Sequence, residues 1–128
     1  MSAPVLKLTL PLPPSMNHSH HNVVVGGRHM RVPSKAAKTW TRDCIVLCAD
    51  AINRTGWPTP CDCKCVVEYT IWWPDRRRRD PSNLEKVLLD GLEAGGIITD
   101  DKWFLPRCID FSYDKANPRV DVTVRRKT

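Results

Sequence analysis

One helix, bracketed by its own start and stop signals, constrains this chain more than any other feature. In residues 74–101, PDRRRRDPSNLEKVLLDGLEAGGIITDD, Ser82 and Glu85 stand three apart as a capping-box pair, a hydroxyl and a carboxylate that can satisfy the orphan N–H groups of a first turn. The helix is expected over 83–94, because Gly95-Gly96 lets the backbone leave through a left-handed turn. Leu84, Val87, Leu88 and Leu92 form its apolar stripe, and Asn83, Lys86, Asp90 and Glu93 fall together on a polar flank. A helix with one apolar stripe needs a surface to pack on, and the runs on either side of it supply one.

Before the helix, odd positions over 61–73 read Cys, Cys, Cys, Val, Tyr, Ile, Trp, while even positions include Asp62, Lys64, Glu68 and Thr70. This parity predicts one long strand at a sheet edge with its odd face in the core, and it makes Cys61, Cys63 and Cys65 small, reduced hydrophobes on that face. Zinc sites space their cysteines by two or more intervening residues, so C-x-C-x-C fits a metal turn poorly. After the helix, Ile97-Ile98-Thr99 reads as a short strand delivering Asp100 and Asp101. If that strand returns beside the helix, Asp80 and one of the two aspartates can share a cation.

The rest of the chain extends the same architecture. Leu6, Leu8 and Leu10 alternate with Val5, Lys7 and Thr9, a half-buried strand ended by Pro11, Pro13 and Pro14. Residues 23–25 and 28–32 read as a hairpin about Gly26-Gly27. Ser34 is a plausible N-cap for a second helix over 35–53, closed by Gly56. Ile109 and Phe111 alternate on one face of 107–113, residues 103–106 read as a connector, Val120, Val122 and Val124 form a final strand, and Arg125-Arg126-Lys127 reads as a basic tail. The expected fold is α+β, one domain over 1–128, with a mixed sheet and two main helices.

The central stretch also carries chemistry. Arg76, Arg77, Arg78 and Arg79 attract phosphate, whereas Asp80, Asp100 and Asp101 attract a hard divalent cation, and a site that needs both is one where a metal meets a nucleic-acid backbone. Taken singly, each fragment has a plainer reading: a solvated loop, an i,i+4 surface pair, a turn. Their crowding about one helix favours the functional reading. The formal net charge of +6 suits a polyanionic partner, with Arg28 and Arg31 of the hairpin adding to the basic surface. His18, His20 and His21 lie in an N-terminal loop, more suited to hydrogen bonding to DNA or to the site than to zinc. No apolar run is long enough to span a bilayer and no secretory pattern opens the chain, so a cytoplasmic protein with no membrane partner is expected.

Asp80, Asn83, Lys86, Asp90 and Asp100-Asp101 behind the arginine run resemble the signature of the RusA family of Holliday-junction resolvases. Residues 10–17, LPLPPSMN, are similar to the Pro-Pro-Ser segment near that family's start, which adds Asn17 to the DNA-binding set. The resemblance implies a homodimeric endodeoxyribonuclease that uses Mg2+, with Mn2+ as a substitute and no small-molecule cofactor, to cut paired strands of a four-way DNA junction. It makes Asp80 and Asp101 metal ligands and Lys86 the catalytic lysine. Where the family has a second acidic residue, this chain has Ser82, a neutral and weaker ligand. Three readings follow: Ser82 is a helix cap; it binds the metal with Asp100 or Asp90 supplying the missing charge; or the protein binds junctions and cuts them poorly or not at all. A non-catalytic nucleic-acid-binding protein is therefore the competing function, and a zinc-stabilised module is a third.

Overall fold

The computed structural model describes residues 4–14, 20–59 and 61–127. Its elements run β1 (Val5–Leu10), β2 (His20–Val25), β3 (Arg28–Pro33), α1 (Lys35–Thr55), β4 (Cys65–Trp73), α2 (Pro81–Ala94), a single 3-10 turn (Asp101–Trp103), β5 (Phe104–Tyr113) and β6 (Arg119–Arg126). Four strands form one mixed sheet in the order β1-β6-β4-β5, and β2-β3 form a separate hairpin. β4 and β5 pair in parallel, which demands a long crossover, and α2 is that crossover. No described helix is long and apolar enough to cross a membrane.

The alternating strands behave as their sequences require. β1 buries Leu6, Leu8 and Leu10, and β6 buries Val120, Val122 and Val124 opposite them. Val67, Tyr69 and Ile71 of β4 continue that layer, and Trp40, Cys44, Cys48 and Ala51 of α1 with Leu84, Leu88 and Leu92 of α2 close it. The two helices touch at Gly91, where an added Cβ would fall on the ring of Trp40 and 3.1 Å from the Cys44 Sγ. Trp40 cannot swing clear without cost, because its indole N–H donates to the Pro11 carbonyl at 2.7 Å. Ser34 caps α1 by accepting from the Ala37 N–H, and Gly56 ends it at φ +71°. The hairpin turns on Gly26 and Gly27, both at positive φ, and its first strand begins at His20, earlier than the alternation alone suggested.

Several expectations give way to tertiary contacts. The long odd-faced strand begins only at Cys65, and it lies inside the sheet between β6 and β5, not at an edge. Cys61 instead makes an isolated parallel bridge to Ile98, so residues 97–99 contribute one bridge and no strand. Trp57 pins this region by donating its indole N–H to the Ile97 carbonyl at 2.9 Å. β5 starts at Phe104, where a connector was expected, and a bulge beside Tyr69 leaves Ile109 unpaired in the register. Ile109, Phe111 and Tyr113 are all exposed. The basic residues near the C-terminus are mostly strand, not tail: Arg125 pairs with Glu68, and Arg126 donates to the Cys63 sulfur.

Candidate metal centre and nucleic-acid interface

The first turn of α2 differs from the capping box. The helix begins at Pro81, and Asp80, extended at φ −102° and ψ 116°, is its cap, accepting from the Ser82 N–H at 3.0 Å. Proline is favoured at the first helical position because its missing N–H is one of the orphans there, which moves the cap to the residue before it. Ser82 therefore sits inside the helix and donates its hydroxyl to the same Asp80 carboxylate at 2.9 Å. These two hydrogen bonds, the backbone one first, hold the Asp80 carboxyl below its ordinary range. Glu85 turns away from the helix start and accepts from the buried Tyr69 hydroxyl at 2.6 Å, tying α2 to β4.

Further along the polar flank, Lys86 donates to Asp90 at 3.1 Å and to Asp101 at 3.4 Å. The first contact is the i,i+4 pair of a helix surface, and the second joins α2 to a residue fifteen positions away in sequence. Asp90, then Asp101, raises the Lys86 pKa, so the side chain stays an ammonium. Carboxylate oxygens of Asp90, Glu93 and Asp101 lie within 4.8 Å of one another. Asp101 opens the 3-10 turn, and Asp100 before it caps that turn by accepting from the Lys102 N–H at 3.0 Å, which lowers the Asp100 pKa.

This arrangement gathers some of the expected residues and separates others. Lys86 and Asp101 meet as a shared site requires. Asp80 caps α2 ten residues before Asp90, about 15 Å back along the helix axis, and is not one of the trio. Asp100 and Asp80 both serve as caps. Glu93 joins the trio although it had been read only as part of the polar flank; its i,i+3 spacing from Asp90 was the available signal.

The trio suits a hard cation. Its donors are all carboxylate oxygens, and three carboxylates with one ammonium leave two negative charges, the charge of one divalent ion. The groups are solvent-accessible, so such an ion would keep several waters, as Mg2+ does.

The arginines form a second surface at the start of α2. Asp75 accepts from the Arg77 N–H at 3.0 Å and pairs with Arg79 at 2.7 Å, folding the run back on itself. Arg79 lies over the Trp73 ring and Arg76 over the Tyr113 ring, each 5.0 Å from the centroid, so two guanidinium planes are stacked in place. Arg77 and Arg78 are exposed. The run separates two open clefts, one of about 430 Å³ floored by Phe111 and Tyr113 and one of about 470 Å³ reaching Asp80 and Asn83. Trp72 donates its indole N–H to Asp121 and carries the Arg119 guanidinium over one face of its ring. Arg28 is exposed at the hairpin turn, while Asn17 and His18 and the side chains of His20, His21 and Arg31 lie outside the described residues.

A sequence model of the family described as Endodeoxyribonuclease RusA matches residues 11–125. Comparison with curated proteins gives no match.

Proposed function

The chain belongs to the RusA endodeoxyribonuclease family, and on that premise we propose that it is a Mg2+-dependent, structure-selective endonuclease that resolves four-way DNA junctions by paired strand cleavage as a homodimer. The observation that carries this reading is the meeting of Lys86 and Asp101, fifteen residues apart, beside two further carboxylates. Asp101 enters the metal-binding set through both the resemblance and this geometry. Asp90 and Glu93 enter through geometry, and Asp80, with Asp100 and Ser82 as subsidiary candidates, through the resemblance. When bound, the divalent ion supplies Lewis-acid polarisation of a phosphoryl oxygen and a more acidic water.

The protein's own groups do the rest. Lys86, kept protonated by its carboxylate neighbours, offsets negative charge gathering on the phosphoryl group and on the leaving oxygen. Arg76–Arg79, with Arg28 and Arg31, neutralise backbone phosphates and set the register of the strand. From Asp80 in the nearer cleft to Asp90 in the trio is about 15 Å along α2, the span of about four nucleotides at about 3.4 Å each. One strand can therefore lie along the polar flank with phosphates at both ends.

Two symmetric cuts need two sites, which supports a two-fold dimer. The exposed Ile109, Phe111 and Tyr113 on β5, an edge strand of the described sheet, favour a second copy covering that edge. The competing reading, a junction-binding protein that cuts weakly or not at all, draws on one specific observation: Ser82 and Asp80 are both engaged in the helix cap. Incubating the protein with a synthetic four-way junction, with Mg2+ or with EDTA, decides between them. The proposal expects paired, ligatable nicks only with Mg2+. Retarded junction with no nicks under either condition would establish the binding protein instead.

A further inference from the structure

We propose that Cys61, Cys63 and Cys65 form a second metal site, a three-thiolate centre for a soft divalent ion such as Zn2+, separate from the carboxylate trio. Were these residues one extended strand, alternate side chains would stand about 6.6 Å apart and no ion could bridge all three. The chain is not extended there. Cys61 is drawn to Ile98 by the isolated bridge and accepts at its carbonyl from the Thr99 N–H at 2.9 Å, while Cys65 is already paired in β4 with Phe104 and Arg126. The bend between these two anchors brings all three sulfurs within 4.8 Å of one another.

The spacings suit tetrahedral thiolate coordination. With metal–sulfur bonds of about 2.3 Å, two thiolates on one tetrahedral ion lie about 3.8 Å apart. Cys61 and Cys65 are 3.7 Å apart, and Cys61 and Cys63 are 2.8 Å apart, so the second pair must open by about 1 Å to take the ion. Cys63 is the half-exposed member and leaves the fourth position to water. Three thiolates about a divalent ion carry one net negative charge, and Arg126 already donates its Nε–H to the Cys63 sulfur at 3.0 Å, which places a compensating cation beside the cluster. Coordination displaces the thiol protons to solvent. Because Thr99 leads directly into Asp100 and Asp101, an ion here would also stiffen the segment that carries Asp101.

The test uses the full reduced chain, stripped of metal, and titrates it with Cd2+ while reading the thiolate-to-metal charge-transfer absorbance, followed by competition with Zn2+. The proposal expects saturation at a single site, unchanged in Cys108→Ser, and a loss of affinity of about tenfold or more in Cys63→Ser and in Arg126→Ala. Cys61 and Cys65 are buried, so a serine there threatens the fold; the half-exposed Cys63 keeps the test decisive. Absence of the band, or a band that survives Cys63→Ser at full affinity because it arises at the buried Cys44 and Cys48, would overturn the site.

Discussion

Gly91→Ala sets two well-defined effects against each other. Gly91 lies inside α2, and by helix propensity alone the substitution should stabilise the protein by about 1 kcal/mol. The structure predicts the opposite sign. An added Cβ would fall on the ring of Trp40 and 3.1 Å from the Cys44 Sγ, with both neighbours buried and Trp40 held by its hydrogen bond to Pro11. Overpacking of this kind costs about 1–3 kcal/mol, so after the propensity gain the net loss should reach up to about 2 kcal/mol, or up to about 10 °C in Tm. Relief requires α2 to move off α1, and Asp90 adjoins Gly91 while Asp101 is held on a different segment, so the trio should open as well. Urea unfolding of wild type and variant measures the first consequence, and Mg2+-dependent cleavage measures the second. A stabilised Gly91→Ala protein would refute the close contact of the helices.

Asp80 allows its capping and catalytic roles to be separated: Asp80→Asn keeps an acceptor for the Ser82 N–H and should lower the thermal midpoint less than Asp80→Ala does, while cleavage falls in both. Since the Asp80 pKa is depressed in the folded protein, its contribution to stability is complete above about pH 4 and is lost as the pH falls below it, which an acid-unfolding profile of Asp80→Asn against wild type will show as a missing component. Lys86 behaves in the opposite sense: its raised pKa keeps the ammonium present through neutral pH and past its ordinary value of about 10.4, so any loss of cleavage between pH 7 and 9 should persist in Lys86→Arg. Arg77→Ala with Arg78→Ala should weaken junction binding and make the slope of log K against log salt shallower by about 0.9 per phosphate contact removed.

What could be read from sequence was what local physics decides. β1 and β6 announce themselves by alternation, α1 by Ser34 and Gly56, and the Lys86–Asp90 pair by helical spacing. The start of α2 is two residues earlier than the Ser82–Glu85 pattern suggests, because Asp80 and Ser82 are both good caps and Pro81 at the first helical position settles the choice for Asp80. Glu85 then had no capping role, since the Tyr69 hydroxyl, sixteen residues away, takes it instead. The parity of 61–73 placed Cys61 and Cys65 in the core, as found, but overstated the strand, because periodicity cannot show that Cys61 pairs with Ile98 before β4 begins. In the candidate site, the approach of Asp101 to Lys86 follows from residues 95–104 running back along α2, a tertiary outcome that spacing allows but does not dictate. Glu93 was legible as polar flank, and only the fold shows which aspartate it faces.

The most direct test of the central claim is to soak crystals in Mn2+ and collect anomalous diffraction. The account predicts a peak among the carboxylates of Asp101, Asp90 and Glu93, lost in Asp101→Asn. An ion bound only elsewhere, or no peak in a protein that nevertheless cuts junctions in Mn2+, would contradict it.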